Sequence, residues 1–259
     1  MELGLQNKNV LVTGGSKGIG FACARAFLAE GARVALVSRS EANLGAAKKA
    51  LGGATYVVAA DLTNWAAAGA MVERVEMEFG PLDVLVNSAG MAKRHRPEEL
   101  TPEAWHAGME AKYFSYVHVI DPVIKRMAAR GRGAIINIIG SGGKVASPSH
   151  LSGGAANAAL MLITAGLAAA YSEKGIRIIG LNPGPTNTTR VRESMKVEAK
   201  RLGVTEDEAL KRITSTMLLG RMAEPEEVAD IALFAASERA RLLTGSNISV
   251  DGGALRVVI

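Results

Sequence analysis

The sequence predicts an α/β fold, a single-domain, doubly wound parallel sheet of about seven strands with helices on both faces. Three observations predict it. Short runs rich in Val, Ile and Leu alternate with Ala-rich stretches of helical period from one end to the other. No linker, internal repeat or low-complexity segment interrupts that alternation, so residues 1–259 read as one domain although the length alone would allow two. The first apolar run, Val10-Leu11-Val12, passes through a glycine-rich turn directly into a helical pattern. Strands that alternate with helices pair in parallel and are covered on both sides.

Strands are expected, in order, near Val10–Val12, Val34–Val37, Tyr56–Val58, Val84–Val86, Ala134–Ile138, Ile176–Leu181 and Ile248–Val250. Helices fill most of the intervals. The turn Thr13-Gly14-Gly15-Ser16-Lys17-Gly18-Ile19-Gly20 leads into a helix carrying Phe21, Ala24, Phe27 and Leu28, with Cys23 on its apolar face. Glycines in such a turn let the backbone approach a pyrophosphate, whose charge is met by free N–H groups at the helix N-terminus. A long helix is expected over Pro102 to Arg130. The apolar run around Ala155 to Ala170 is short and Gly/Ala-rich for a membrane span and reads as a buried helix. The least regular stretch runs from Pro185 to about Leu219 and carries Arg190, Arg192, Lys196, Lys200 and Arg201. Ligands of open parallel sheets bind at the carboxyl ends of the strands, where Thr13, Ser38, Asp61, Asn87, Ile139 and Asn182 fall.

Composition excludes several function classes. The net charge of +5 is dispersed and lacks interleaved aromatics, which argues against a nucleic-acid partner. A single cysteine forms neither a disulfide framework nor a cysteine metal site, as befits a reducing cytoplasm. The N-terminal residues run into the first strand without a long apolar stretch, so no signal peptide and no membrane partner are read. His95, His106 and His118 show no metal-ligand spacing, so no metal is expected.

The glycine turn stands in company: Asp61-Leu62, Asn87-Ser88-Ala89-Gly90, Asn182-Pro183-Gly184 and Val250-Asp251-Gly252-Gly253. Together these motifs resemble the short-chain dehydrogenase/reductase family over essentially the whole chain. The stretch Gly220-Arg221-Met222-Ala223-Glu224-Pro225-Glu226-Glu227-Val228-Ala229 is similar to its 3-oxoacyl-carrier-protein-reductase type. The resemblance implies a Rossmann-type fold that binds a nicotinamide dinucleotide. Gly14, Ser16, Lys17, Gly18, Ile19 and Gly20 would form the phosphate turn, and Asp61 and Leu62 would flank the adenine. Asn87, Ala89 and Gly90 would line the adenosine side, while Pro183, Gly184 and Thr188 would contact the nicotinamide. It also implies a substrate lid at about 185–219 and a homo-dimer or homo-tetramer built on the helices Ala155 to Tyr171 and Pro102 to Arg130. Ala158, Ala159, Gly166 and Ala169 would allow close helix approach there.

Charge argues for NADP(H) over NAD(H). An acidic residue after the second strand would hold both ribose hydroxyls and repel a 2′-phosphate, but the residues here are Ser38-Arg39. Arg39 and Lys17 place cations where that phosphate would sit, and the arginine fork suits phosphate.

At the site of chemistry the family pattern fails. Counting from Asn137 and from Ala158-Ala159-Leu160, Gly140 stands at the usual Ser position, Gly153 at the Tyr position and Asn157 at the Lys position. Lys112 stands where the family has an Asn. Hydride delivery to a carbonyl leaves an alkoxide that needs a proton, and glycine has none to give. Asn157 and Lys112 read as a reciprocal exchange, the alternative being a Lys112 that extends into solvent. Ser141 follows Gly140 and is a candidate to replace the missing hydroxyl, the alternative being a turn hydroxyl. His150, near the expected start of a helix, is a candidate electrophile or weak acid, since a helix N-terminus favours a neutral imidazole. Asn157 would also keep the family's contact to the cofactor. The loop Lys93-Arg94-His95-Arg96 suggests an anionic small-molecule substrate, or merely a solvated rim. Three readings follow: an NADP-dependent oxidoreductase with a rewired site, which is preferred; a cofactor-binding pseudoenzyme acting as a sensor or silent subunit; and a non-redox lyase or isomerase.

Overall fold

Alternate residues of the central strands enter two separate cores, as a sheet covered on both faces requires. In the first strand Val10 and Val12 join one core and Leu11 the other, all fully buried. The structure, a computed structural model, describes residues 2–215 and 217–256, without the side chains of residues 190, 193, 194, 197, 198, 200, 201 and 213. The strands are β1 Asn9–Thr13, β2 Arg33–Ser38, β3 Thr55–Ala59, β4 Val84–Asn87, β5 Gly133–Ile138, β6 Ile176–Pro183 and β7 Asn247–Val250. They form one seven-stranded sheet in the order β3-β2-β1-β4-β5-β6-β7, every pair parallel. Strand order reverses between β1 and β4, and open parallel sheets hold their ligands at the carboxyl ends of the strands beside such a reversal.

The helices are α1 Gly18–Ala29, α2 Glu41–Leu51, α3 Trp65–Phe79, α4 Pro102–Met109, α5 Ser115–Arg130, α6 Leu151–Tyr171, α7 Thr189–Leu202, α8 Glu206–Thr214 and α9 Pro225–Ala236. Their starts follow from side-chain caps. Ser40, Asn64 and Thr101 accept the backbone N–H groups of Asn43, Ala67 and Ala104, and Pro102 and Pro225 occupy first-turn positions where no N–H is needed. α1 and α9 cover one face through Ala22, Cys23, Ala24 and Phe27 against Val228, Ala229 and Ala232. The α3, α5 and α6 helices cover the other through Val72, Val75, Tyr116, Val119, Val123 and Leu160. Cys23 is fully buried, and burial pushes its thiol up to about 12.

Three expectations need correction. The helix from Pro102 to Arg130 is continuous but contains a π turn, Glu110–Phe114, between α4 and α5. The stretch 185–219 is not irregular: it holds α7 and α8, tied back by a bridge between Thr186 and Ala223. The side chains of Arg190, Lys200 and Arg201 lie outside the described residues. Finally, α6 is buried on one face only. The apolar window within Leu151–Lys174 is long enough to cross a membrane, yet 33% of it is buried in the fold. Ala156, Leu160, Thr164 and Ala168 face the sheet, while Ala155, Ala158, Leu162, Ala165, Gly166 and Ala169 are exposed.

Candidate active site

The site begins with a ladder of buried polar groups across the ends of β1, β4 and β5. Thr13 Oγ1 donates to Asn87 Oδ1 (3.4 Å), Asn87 Nδ2 to Asn137 Oδ1 (3.1 Å), and Asn137 Nδ2 to Thr164 Oγ1 on α6 (3.0 Å). The Ser88 and Ala89 amides donate to Thr13 Oγ1. Each member pairs with the next, which offsets the cost of burying it. The ladder ties the glycine turn to the loop Asn87–Gly90. A Cβ at Gly14 would come within 2.8 Å of the Ala89 Cα and the Ser88 carbonyl, and one at Gly20 within 2.5 Å of the Gly14 carbonyl. Nothing larger than glycine fits. Ser16 is half-buried in the turn, Ile19 packs on the core, and Gly18 adopts φ +55° with the Thr188 Cγ2 lying 3.3 Å from where its Cβ would be. Thr188 thus closes over the turn while its hydroxyl accepts the Val191 amide. Pro183 is buried at the end of β6, and Gly184 packs on Asp251.

Lys17, in the glycine turn, and Arg39, next to half-buried Ser38 at the end of β2, are exposed. Asp61 accepts the Thr63 amide and hydroxyl, and these bonds, with Arg39 nearby, hold its carboxyl below the usual range. Leu62 is buried and its carbonyl contacts the His118 ring, so His118 is a satisfied helix residue, as expected.

Beside the expected catalytic positions, three glycines pack a loop against α6. Gly140, following β5, has φ +112°, a conformation an L side chain rarely adopts. A Cβ at Gly143 would lie 2.7 Å from the Ala158 amide nitrogen, so this loop rests directly on the backbone of α6 beside Asn157. The His150 and Asn157 side chains converge on Gly142: a Cβ there would be 3.6 Å from His150 Nε2 and 3.5 Å from Asn157 Nδ2. His150 caps α6, and its ring folds over Gly153, with Nε2 and Nδ1 only 2.6 and 2.8 Å from where a Gly153 Cβ would begin. The imidazole therefore fills the start of the space that a residue-153 side chain would use.

Lys112 does not reach into solvent. It is 9% exposed, and its Nζ donates to the Tyr116 hydroxyl and the Ile138 carbonyl, both at 2.9 Å. The π turn carries it inward, and the Ser115 hydroxyl, 3.1 Å from both the Ala111 and Lys112 carbonyls, covers groups the widened turn releases. Burial lowers the pKa of His150, and the charges of Arg94 and Lys112 lower it further. Among the described residues His150 Nδ1, Asn157 Oδ1, Asn182 Oδ1 and, on β7, Asn247 Oδ1 are buried with no hydrogen-bond partner.

The sequence reading missed Tyr116, and it placed Asn182 at the carboxyl end of its strand without giving it a partner. Tyr116, fully buried, donates to the Ile138 carbonyl and receives the Lys112 ammonium; the four-residue helical spacing between them was the available signal. Asn182 Nδ2 donates to the Gly140 carbonyl and backs the glycine loop from β6. Ser141 opens a short 3-10 turn, half-buried, and its hydroxyl makes no hydrogen bond among the described residues. Among the described residues no group of His, Cys, Asp and Glu is placed to hold a metal.

Residues 14–254 match the family described as Enoyl-(Acyl carrier protein) reductase. A D-threitol dehydrogenase of Mycolicibacterium smegmatis is 32% identical over 96% of this chain and 93% of its own. The chain belongs to the short-chain dehydrogenase/reductase family. Another relative, an acetoacetyl-CoA reductase of Shinella zoogloeoides, is 33% identical over 94% of this chain and 96% of its own. L-sorbose reductase of Gluconobacter frateurii, solved with NADPH and L-sorbose, superposes with a TM-score of 0.94 at 32% identity over 100% of both chains. These family members are named for a polyol, an acyl thioester and a sugar. Membership therefore carries the fold and the class of oxidoreductase, while the substrate depends on local chemistry.

Proposed function

We propose that this family member is an NADP(H)-dependent oxidoreductase of carbonyl and alcohol pairs in which His150 handles the proton that the family leaves to tyrosine. The observation that carries the reading is the His150 ring lying over Gly153, where the family side chain would start. The residues present fit the dinucleotide. The glycine turn has no room for a Cβ at Gly14 or Gly20, and the unpartnered Asn157 Oδ1 is an acceptor suited to a ribose hydroxyl. Arg39 and Lys17 are exposed cations that suit a 2′-phosphate. When bound, the nicotinamide supplies or removes the hydride.

The chain's own residues do the rest. His150 in its protonated form gives a proton to the carbonyl oxygen during reduction, and in its neutral form takes one from the alcohol during oxidation. The Lys112 ammonium, fixed from behind by Tyr116 and Ile138, supplies positive charge to the cavity where an alkoxide develops. Asn157 orients the ribose. Ser141 is a second hydroxyl at the mouth. The loop glycines exclude water by bringing backbone against α6. Thr188 and the helices α7 and α8 form the lid side. The exposed Ala/Gly stripe of α6 with Leu162 packs on a second copy of the chain, and the single cysteine suits a reducing cytoplasm.

Titration with NADPH and NADH, followed by nucleotide fluorescence, tests the cofactor assignment; NADPH should bind at least about tenfold more tightly. Consumption of NADPH with a panel of ketones and aldehydes tests the site, with His150→Ala and Lys112→Ala expected to lose about 100-fold or more in kcat. The positive φ of Gly140, which bars a simple return of serine, favours a second reading as a cofactor-binding pseudoenzyme. NADPH binding without any turnover would select it.

A further inference from the structure

The loop after β4 carries two arginines in different situations. Arg96 is neutralised by Glu98 and Glu99. Arg94 forms no ion pair among the described residues, and its Nη1 donates instead to the neutral Ser149 hydroxyl at 3.1 Å. The His95 amide also donates to the Ser149 carbonyl, so the loop is seated on the residue that directly precedes His150. Arg94 remains exposed, with most of its planar fork available. The charges that reach His150 from its surroundings are both positive, from Arg94 on this loop and from Lys112 on the π turn.

We propose that Arg94, seated on Ser149 at the rim of the site, receives an oxyanion of the substrate, so that the carbonyl presented to His150 belongs to a compound bearing a carboxylate or phosphate. The inference rests on the oxidoreductase reading for the carbonyl, but not for the anion site. Arginine binds either oxyanion through two parallel N–H donors, and a site lined by cations attracts anions from a distance. The bound anion has a second effect. It offsets the two cations that oppose protonation of His150, so the imidazole gains its proton when an anionic substrate is in place. Reduction then transfers hydride to the carbonyl carbon and that proton to the oxygen, giving the alcohol and neutral His150.

Matched pairs test this by calorimetric titration of the full chain with and without NADP: acetoacetate against methyl acetoacetate, and dihydroxyacetone phosphate against dihydroxyacetone. The anion of one pair should bind about tenfold more tightly than its neutral partner, and which pair responds identifies carboxylate or phosphate. Arg94→Gln should collapse the difference, whereas Arg96→Gln, whose charge is already neutralised, should preserve it. Equal binding of anion and neutral compound in both pairs, or a preference that survives Arg94→Gln, overturns the anion site. Turnover of the same compounds separates the two claims. Anion binding through Arg94 with no reduction of any carbonyl sinks the oxidoreductase reading and leaves the anion site standing. Reduction of neutral compounds as readily as anions, unaffected by Arg94→Gln, does the reverse.

Discussion

At position 153 the backbone of α6 carries no side chain, and the ring of His150 lies where one would begin. On the proposed role of His150, the pH dependence of catalysis follows from that ring's surroundings. Burial lowers its pKa from 6.5, and Arg94 and Lys112 lower it further, while the two glycines packed near the ring, Gly142 and Gly153, carry no charge. If reduction uses the protonated ring, as proposed, it should slow as pH rises through that lowered value, while oxidation should rise through it and level off. Rate profiles in both directions check this, and His150→Ala should remove the shared inflection. The same shift has a stability consequence of fixed sign: the neutral ring's contribution is present above pH 6.5 and is lost as pH falls through the lowered folded value. A return of tyrosine is a sharper test. Gly153→Tyr must expel the His150 ring, and without a lysine at position 157 the phenol keeps a pKa of about 10. The single variant should reduce carbonyls no faster than His150→Ala, and adding Asn157→Lys should recover part of the rate.

Elements, not single residues, decide which way these groups point. Lys112 lies on a helix, and regular helical spacing leaves open whether it faces the sheet or water. The π turn resolves that by widening the helix where Gly90 presses on it: a Cβ at Gly90 would collide with the Ala111 carbonyl. The position of Lys112 was legible in the sequence, but the widened turn was not, because it depends on the loop that packs against it. Arg177 shows the same dependence at the far end of the sheet. Its guanidinium donates to the carbonyls of Ala235, Ala236, Ser237, Ala240 and Leu243, closing the C-terminus of α9. Arg177→Met should remove all five donations, leaving the Ser237 and Ala240 carbonyls only their backbone amides, and cost about 2–4 kcal/mol. Urea unfolding should show a lower midpoint at an unchanged slope.

For the whole molecule the open question of contact is the outward face of α6. Leu162 is 74% exposed there among Ala and Gly residues, an arrangement that suits a flat helix against its copy. Leu162→Glu should shift the protein to a smaller species in sedimentation, with the sheet and its cores unchanged. A wild-type monomer at working concentration would remove that face from consideration. The exposed Arg39 and Lys17 belong to the same scale, because surface cations add to the field of the whole molecule.

The sequence by itself determined the seven strands, their parallel pairing and the helices that cover them, because apolar periodicity and glycine turns are local signals. It also located Gly140, Gly153, Asn157 and Lys112 by counting from fixed motifs. The outward face of α6, the helices α7 and α8 and the anchoring of Lys112 by Tyr116 were decided only by tertiary packing. So was the filling of the Gly153 space by His150. Residues three apart at a helix start can touch or diverge according to the cap's rotamer, and that rotamer is chosen by the glycine loop arriving from a different strand.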